Sequence, residues 1–348
     1  MPDTILAGPP KRIVGAIDLT ARTAAMFAAV GVPTDDAQRM GIILVDADLR
    51  GVHSHGCRWT PAYVRSVQRG GANRNPNIQI IQDDGSTIIV DGDGGLGHLV
   101  AERAMRWGIE RASQHGLAAV AVRNSRHCGA IAYYTAMAAA SGCVGFATTN
   151  AGILMAPHGG RDKLVGVDPM SWAFPTNRGW PIDLDMAPSI AAGSKLLVAM
   201  ERNERIPLGW ALDAAGRPTD DPREAQKGVM LPVGGPKGYS LAVVMNILSG
   251  VLTGGRFGSG LGSRRHESDH FFMAVSIERF MPLAEFTGRI DELIDQLKSS
   301  ALAEGSSGVF LPGEIEHRLK QERLELGIPM DEAVMAGIDA LEAELRVQ

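Results

Sequence analysis

Two short polar segments concentrate the residues that could do chemistry. The first, Arg50-Gly51-Val52-His53-Ser54-His55-Gly56-Cys57-Arg58, brackets a serine with two histidines and places an arginine at either end. Imidazole titrates near neutral pH, so such a loop suits proton transfer or metal binding. His53, His55 and Cys57 alternate and could face one way as zinc ligands, the basis of a metal-dependent hydrolase; a solvated loop is the plainer reading. The second segment, Asn124-Ser125-Arg126-His127-Cys128-Gly129-Ala130, joins a strand pattern to a helix pattern, where α/β proteins commonly place their chemistry. Taken alone, His127 reads equally as a helix-start hydrogen bonder or a catalyst.

Three further segments could meet a ligand. Gly234-Gly235-Pro236-Lys237-Gly238-Tyr239-Ser240 precedes an apolar helix and could hold an anion on backbone N–H groups, with Lys237 as a point charge. It lacks the Walker spacing, which argues against a nucleoside triphosphatase. Gly92 to Gly97 matches G-x-G-x-x-G, but the next strand ends in Val122-Arg123-Asn124 without the acidic residue that bonds a ribose, so a structural turn competes with a dinucleotide turn. Asn150, the turn Ala156-Pro157-His158-Gly159-Gly160 and Asp183-Leu184-Asp185-Met186-Ala187-Pro188 read, separately, as strand ends and turns.

These segments need elements to position them. Helical periodicity over Asp18–Arg50 breaks at Gly31-Val32-Pro33, which predicts a helical hairpin with Thr34 capping its second arm. A third helix starts at Thr60-Pro61. Ile78–Ile81 and Ser86–Val90, divided by Asp83-Asp84-Gly85, predict a β-hairpin. Helices and strands then alternate: helix Leu99–Gln114, strand Ala118–Val122, helix Ala130–Ser141, strand Val144–Thr149 and, later, helix Ser240–Leu252. Helix returns over Leu283–Leu302, Glu314–Leu326 and Asp331–Arg346. The fold class expected is α/β (α+β), with a cofactor-binding domain over residues 81–280 and a discontinuous helical domain from residues 1–80 and 281–348. The stretch 259–268, rich in glycine and charge, reads as a mobile loop.

Composition narrows the partners. The chain has 348 residues, 45% of them hydrophobic, enough for a substantial core. Its net charge of −5 speaks against nucleic acid as the main partner. Three cysteines suit a reducing compartment rather than a disulfide framework, and no stretch has the apolar length of a spanning helix or signal peptide, so a cytoplasmic protein is expected.

Taken in order, RGVHSHG, NSRHCGA, TTN with APHGG, DLDMAPS, GGPKGYSLAVVMNILSGVLTGG and LPGEIEHR with LGIPM resemble the malate/L-lactate dehydrogenase family that is distinct from the Rossmann lactate and malate dehydrogenases. The resemblance implies a non-Rossmann NAD(P)-binding mixed-sheet domain and reversible reduction of a 2-oxo acid with NAD or NADP, in a homodimer. A cyclic 2-imino acid reductase of the same family is the alternative. It further implies that His55 is the general acid/base, that Ser54 orients it, and that His127 lines the site and shares the acid/base role or binds cofactor. Asp185, Met186 and Ala187 would border the dinucleotide, Lys237 would reach its phosphate or ribose, and Asn150 would lie near the substrate. Trp59 stands where the family often has an arginine to grip the substrate carboxylate, with Arg58 one position earlier; both are candidate substrate contacts. Cys128, Ala151, Asp168 and Pro188 also depart from the family pattern.

Overall fold

The computed structural model describes residues 11–261 and 267–346. A short strand, β1 (Lys11–Val14), leads into the helical hairpin α1 (Ala16–Ala29) and α2 (Thr34–Leu49), followed by α3 (Thr60–Gln68). Thr34 is the first helical residue of α2 and makes no side-chain cap; Asp35 and Asp36 in that first turn complement the helix dipole instead. The sheet region runs β2 (Gln79–Asp83), β3 (Thr87–Asp91), α4 (Gly97–His115), β4 (Leu117–Arg126), α5 (Ala132–Ala140) and β5 (Cys143–Thr149). It continues through β6 (Ile153–Met155), β7 (Val165–Gly166), β8 (Met170–Phe174), β9 (Ile182–Met186), α6 (Gly193–Glu201), β10 (Ala211–Leu212), β11 (Pro218–Thr219), α7 (Pro222–Lys227), β12 (Val229–Met230) and α8 (Pro236–Asn246). After α8 come a π-turn at Ile247–Val251, β13 (Glu267–Ser276), α9 (Leu283–Lys298), α10 (Glu314–Leu326), β14 (Ile328–Asp331) and α11 (Glu332–Leu345). Of the glycine-rich stretch 259–268, residues 262–266 lie outside the described residues.

The main sheet has the order β2-β3-β4-β13-β5-β8-β9, and within it only β3 and β4 pair in parallel. A doubly wound nucleotide-binding sheet is mostly parallel, so this is a mixed α/β sheet of another kind. Helices α4 and α5, with Ile131 just ahead of α5, bury Val100, Met105, Ile131 and Tyr134 against one face, while Met245 from α8 meets Phe146, Met170 and Phe271 on the other. A smaller sheet, β11-β10-β12-β6-β7, forms with α6 and α7 around Met155, Leu196 and Met230.

The chain ends meet in a helical layer. β1 pairs antiparallel with β14, Val14 opposite Ile328, and Leu19, Phe27, Met40, Leu44 and Val64 pack with Met335, Ile338 and Leu341. Arg22 reinforces the closure through Asp339 at 2.7 Å and Glu342 at 2.6 Å. Helix α10 also returns to this layer, where Lys320 pairs with Asp46 at 2.5 Å. Helix α9 instead lies by the turn between β8 and β9, held by Arg178, which meets Asp295 at 2.7 Å.

Candidate active site

The loop after α2 is organised from beneath by Asp48, in the last turn of that helix and fully buried. One carboxylate oxygen accepts from His53 Nδ1 at 2.7 Å and the other from the Cys57 backbone N–H at 2.7 Å. Gly56 is needed there because a Cβ at that position would overlap the Asp48 carboxylate. Arg323 of α10 donates to His53 Nε2 at 3.1 Å. A guanidinium only donates, so Nε2 accepts and the His53 proton sits on Nδ1, directed at Asp48. Both nitrogens of His53 are therefore occupied. Cys57 is buried against Thr23, and burial pushes its thiol well above the usual range. His53, His55 and Cys57 do not converge, and among the described residues no group of three or more His, Cys, Asp or Glu side chains could hold a metal ion. The hydrolase reading is not favoured.

His55 faces the other way. Its Nδ1 meets Ser54 Oγ at 2.9 Å, and the carbonyl of Ser54 accepts the Trp59 indole N–H at 2.6 Å, which fixes the turn. Burial, with Arg58 adding to it, lowers the His55 imidazole to about 4. The His55 ring stacks on His127, with centroids 5.7 Å apart and planes 18° from parallel. Arg58 is exposed, and Trp59 packs partly into the helical core.

His127 follows β4 and precedes α5. Its Nδ1 lies 2.6 Å from Tyr63 Oη and 3.4 Å from the Gly129 backbone N–H. A backbone N–H can only donate, so Nδ1 is the accepting nitrogen, the Tyr63 hydroxyl donates a hydrogen bond to it, and the ring proton of neutral His127 sits on Nε2. His98, at the start of α4, stands edge-on to Tyr63 at 5.0 Å. It is fully buried, neither ring nitrogen has a hydrogen-bond partner, and burial first, then the charges of His55 and His270, lowers it to about 3. Tyr63 and His98 belong to this cluster, but no local pattern in the sequence marks them. Gly97 packs so tightly on the carbonyl of Arg126 that a Cβ there would overlap it, so the Gly92–Gly97 motif lets α4 start against the end of β4.

Strand β9 borders the same region. Asp185 accepts from the Ala132 N–H at 3.0 Å, at the start of α5, and its side chain is open to solvent. Asp183 receives Arg50 at 2.6 Å and is raised to about 6, burial outweighing the arginine. Past Met186 and Ala187, the carbonyl of Pro188 accepts from the Val233 N–H at 2.7 Å, which seats the segment beside the turn that opens α8. Lys237 in the first turn of α8 is exposed and has no partner among the described residues. An exposed ammonium in the first turn of a helix, beside backbone N–H groups that no intrahelical carbonyl accepts, is a donor set that fits the phosphates of a dinucleotide.

Asn150 directly follows β5. It is buried, its Oδ1 accepts from the Asp269 N–H at 2.8 Å and its Nδ2 donates to the Arg256 carbonyl at 2.8 Å. Asp168, also buried, accepts from the Ala151 N–H at 2.8 Å and from Asn246 Nδ2 at 2.9 Å, and burial raises it to about 7. Cys128 is buried with its thiol pushed up to about 12, which leaves it inert as a nucleophile at neutral pH.

The same arrangement of chain is found in known proteins. A malate dehydrogenase of Pyrococcus abyssi is 38% identical over 330 residues, covering 92% of this chain and 91% of that protein. The structure of sulfolactate dehydrogenase from Methanocaldococcus jannaschii superposes with a TM-score of 0.90 at 36% identity, covering 97% of this chain and 98% of the other. A ureidoglycolate dehydrogenase (NAD(+)) of Escherichia coli K12 is 30% identical, covering 84% of this chain and 85% of its own. The family model described as malate/L-lactate dehydrogenase matches residues 14–339. With that match over nearly the whole chain and relatives that are dehydrogenases, the protein is an oxidoreductase of the malate/L-lactate dehydrogenase family.

Proposed function

We propose that the protein interconverts a small 2-hydroxy acid and its 2-oxo acid with NAD or NADP, and that His55 handles the proton. The observation that carries this reading is the stacked pair of His55 and His127, each with Nδ1 tied by a hydroxyl, from Ser54 and Tyr63 respectively. With Nδ1 held, Nε2 of His55 is the nitrogen left to face substrate; among the described residues it has no partner. The nicotinamide, when bound, supplies or accepts the hydride. In the oxidative direction neutral His55 takes the hydroxyl proton; in reduction its protonated form delivers a proton to the carbonyl oxygen. Burial disfavours the imidazolium, and the carboxylate of an arriving substrate restores it by bringing an opposite charge alongside. His127, stacked beside His55, lines the same site. Arg58, an exposed guanidinium close enough to His55 to lower its proton affinity, is suited to grip that carboxylate, while the indole N–H of Trp59 is engaged and only its ring is left to shape the pocket.

Asp185, Met186, Ala187 and Lys237 are the residues that would hold the dinucleotide. A homodimer is part of the proposal: Val244, Ile247, Val251 and Leu252 form an exposed apolar stripe along α8 and its π-turn, the spacing of one helical face that a second copy would cover. No helix among the described residues is long and apolar enough to cross a membrane, and all three cysteines are unpaired and buried, which suits the cytoplasm. A 2-hydroxy acid is favoured over a cyclic imine because the curated relatives named above are dehydrogenases of hydroxy acids.

The test follows absorbance at 340 nm with NADH and NADPH separately, against oxaloacetate, pyruvate, 3-sulfopyruvate and a cyclic imino acid. Oxidation with a 2-oxo acid, lost by at least a hundredfold in His55→Gln while nucleotide affinity is kept, is the expected result. Full kcat in His55→Gln removes the role assigned to that residue, and turnover of the cyclic imine alone refutes the substrate class.

A further inference from the structure

We propose that Arg50 and Asp183 form a latch that holds the loop bearing His55 against the strand bearing Asp185, Met186 and Ala187, so that the proton-handling imidazole and the nicotinamide meet in register. The inference rests on the dehydrogenase reading above. Arg50 is the first residue after α2 and opens the loop; its Nη2 donates to Asp183 Oδ2 at 2.6 Å. The two side chains are only 13% and 3% exposed. Asp46 and Asp185 also attract the guanidinium, so a single cation gathers carboxylates from α2 and from two positions of β9.

Asp183 is itself tied down on its other sides. Its backbone N–H donates to the Pro312 carbonyl at 3.0 Å, and its Oδ1 receives Ser171 Oγ at 3.4 Å. Ser171 Oγ in turn lies 2.6 Å from Thr135 Oγ1 on α5, the helix that follows His127 and whose start Asp185 caps. One chain of contacts therefore runs from the His55 loop through Arg50 and Asp183 to the helix behind His127. A buried ion pair contributes little net stability compared with apolar side chains of the same volume, but it fixes geometry in a way that a greasy contact does not. Displacement of a reacting group by about 1 Å reduces rate on the order of a hundredfold. Arg50 and Asp183 are thus positioning residues, acting through His55 and through the cofactor strand.

The experiment compares wild type with Asp183→Asn and with the double variant Arg50→Met/Asp183→Leu, which removes both members of the pair together and leaves Asp46 its partner Lys320. Three quantities are read: amide hydrogen exchange in residues 52–58, affinity for NADH or NADPH by fluorescence, and kcat and KM for a 2-oxo acid that the wild type reduces. The latch predicts at least tenfold faster exchange in 52–58, nucleotide affinity within threefold of wild type, and kcat lowered about a hundredfold with KM within threefold. Wild-type exchange together with kcat within threefold overturns it, as does a fall in kcat matched by an equal loss of nucleotide affinity. Should the double variant not fold, Asp183→Asn decides by the same readouts. Absence of wild-type turnover with every 2-oxo acid refutes the functional reading instead, and exchange in 52–58 then decides the latch alone: unchanged exchange overturns it and faster exchange upholds it.

Discussion

Replacing Asp168 by asparagine is expected to stabilise the protein in alkaline solution and to do progressively less as the solution is acidified. The carboxyl is fully buried and raised from 3.8 to about 7 by desolvation, with no charged side chain opposing it. The native state thus binds this proton more tightly than the unfolded chain does. Stability from this group is intact below about pH 4, is lost as pH rises toward 7, and stays lost above. About three powers of ten in proton affinity correspond to roughly 4 kcal/mol, an upper bound, of which about two-thirds develops between pH 5 and 8. An asparagine amide oxygen can still accept from the Ala151 N–H, and the Asn246 amide can turn to offer its oxygen to the new NH2. The assay is urea unfolding of wild type and Asp168→Asn at pH 5 and pH 8, read as the difference in midpoint at matched slope. Other carboxyls raised by burial, such as Asp183 and Asp269, occur in both proteins and cancel. The expected gain at pH 8 exceeds that at pH 5 by up to about 3 kcal/mol. The same difference at both pH values, or a variant less stable at pH 8, would refute the reasoning.

Tyr63→Phe removes the hydroxyl that donates to His127 Nδ1, and kcat should fall on the order of tenfold to a hundredfold with a shifted pH profile; an unchanged profile would show that His127 needs no such hold. Gly56→Ala drives a methyl group into the Asp48 carboxylate and should destabilise the protein by about 1–3 kcal/mol in thermal or urea unfolding, so a neutral substitution would contradict the packing described. Val251→Glu places a charge in the exposed apolar stripe of α8 and its π-turn and should turn a dimer into a monomer in light scattering after gel filtration; a dimer of unchanged affinity would place the interface elsewhere.

Periodicity located the elements whose burial pattern is local. Helices α1 and α2 part at Gly31-Val32-Pro33, α10 covers the expected Glu314–Leu326, and β2 and β3 form the hairpin around Asp83-Asp84-Gly85. Strands β6, β7, β10, β11 and β12 are two or three residues long, too short to carry a period, and the small sheet they build was not visible in the sequence. Nor was the insertion of β13 between β4 and β5, because pairing between strands more than a hundred residues apart depends on faces assembled from the whole chain. At the site, the motifs RGVHSHG and NSRHCGA named the two histidine loops, whereas Tyr63 and His98 lie on helices with no motif of their own.

The sequence by itself determined the inventory: which loops carry imidazoles, which turn carries a lysine ahead of a helix, and to which family the order of those segments points. Residue type and spacing did not separate His53 from His55, two residues apart on one loop and chemically identical; only the resemblance of the SHG motif pointed to His55. Tertiary structure made one a strut between Asp48 and Arg323 and stacked the other on His127. The physical reason is that an imidazole's role is set by its burial and by the groups that meet its two nitrogens. For His53 one of those groups lies on α10, 270 positions along the chain, where only folding brings it within 3.1 Å.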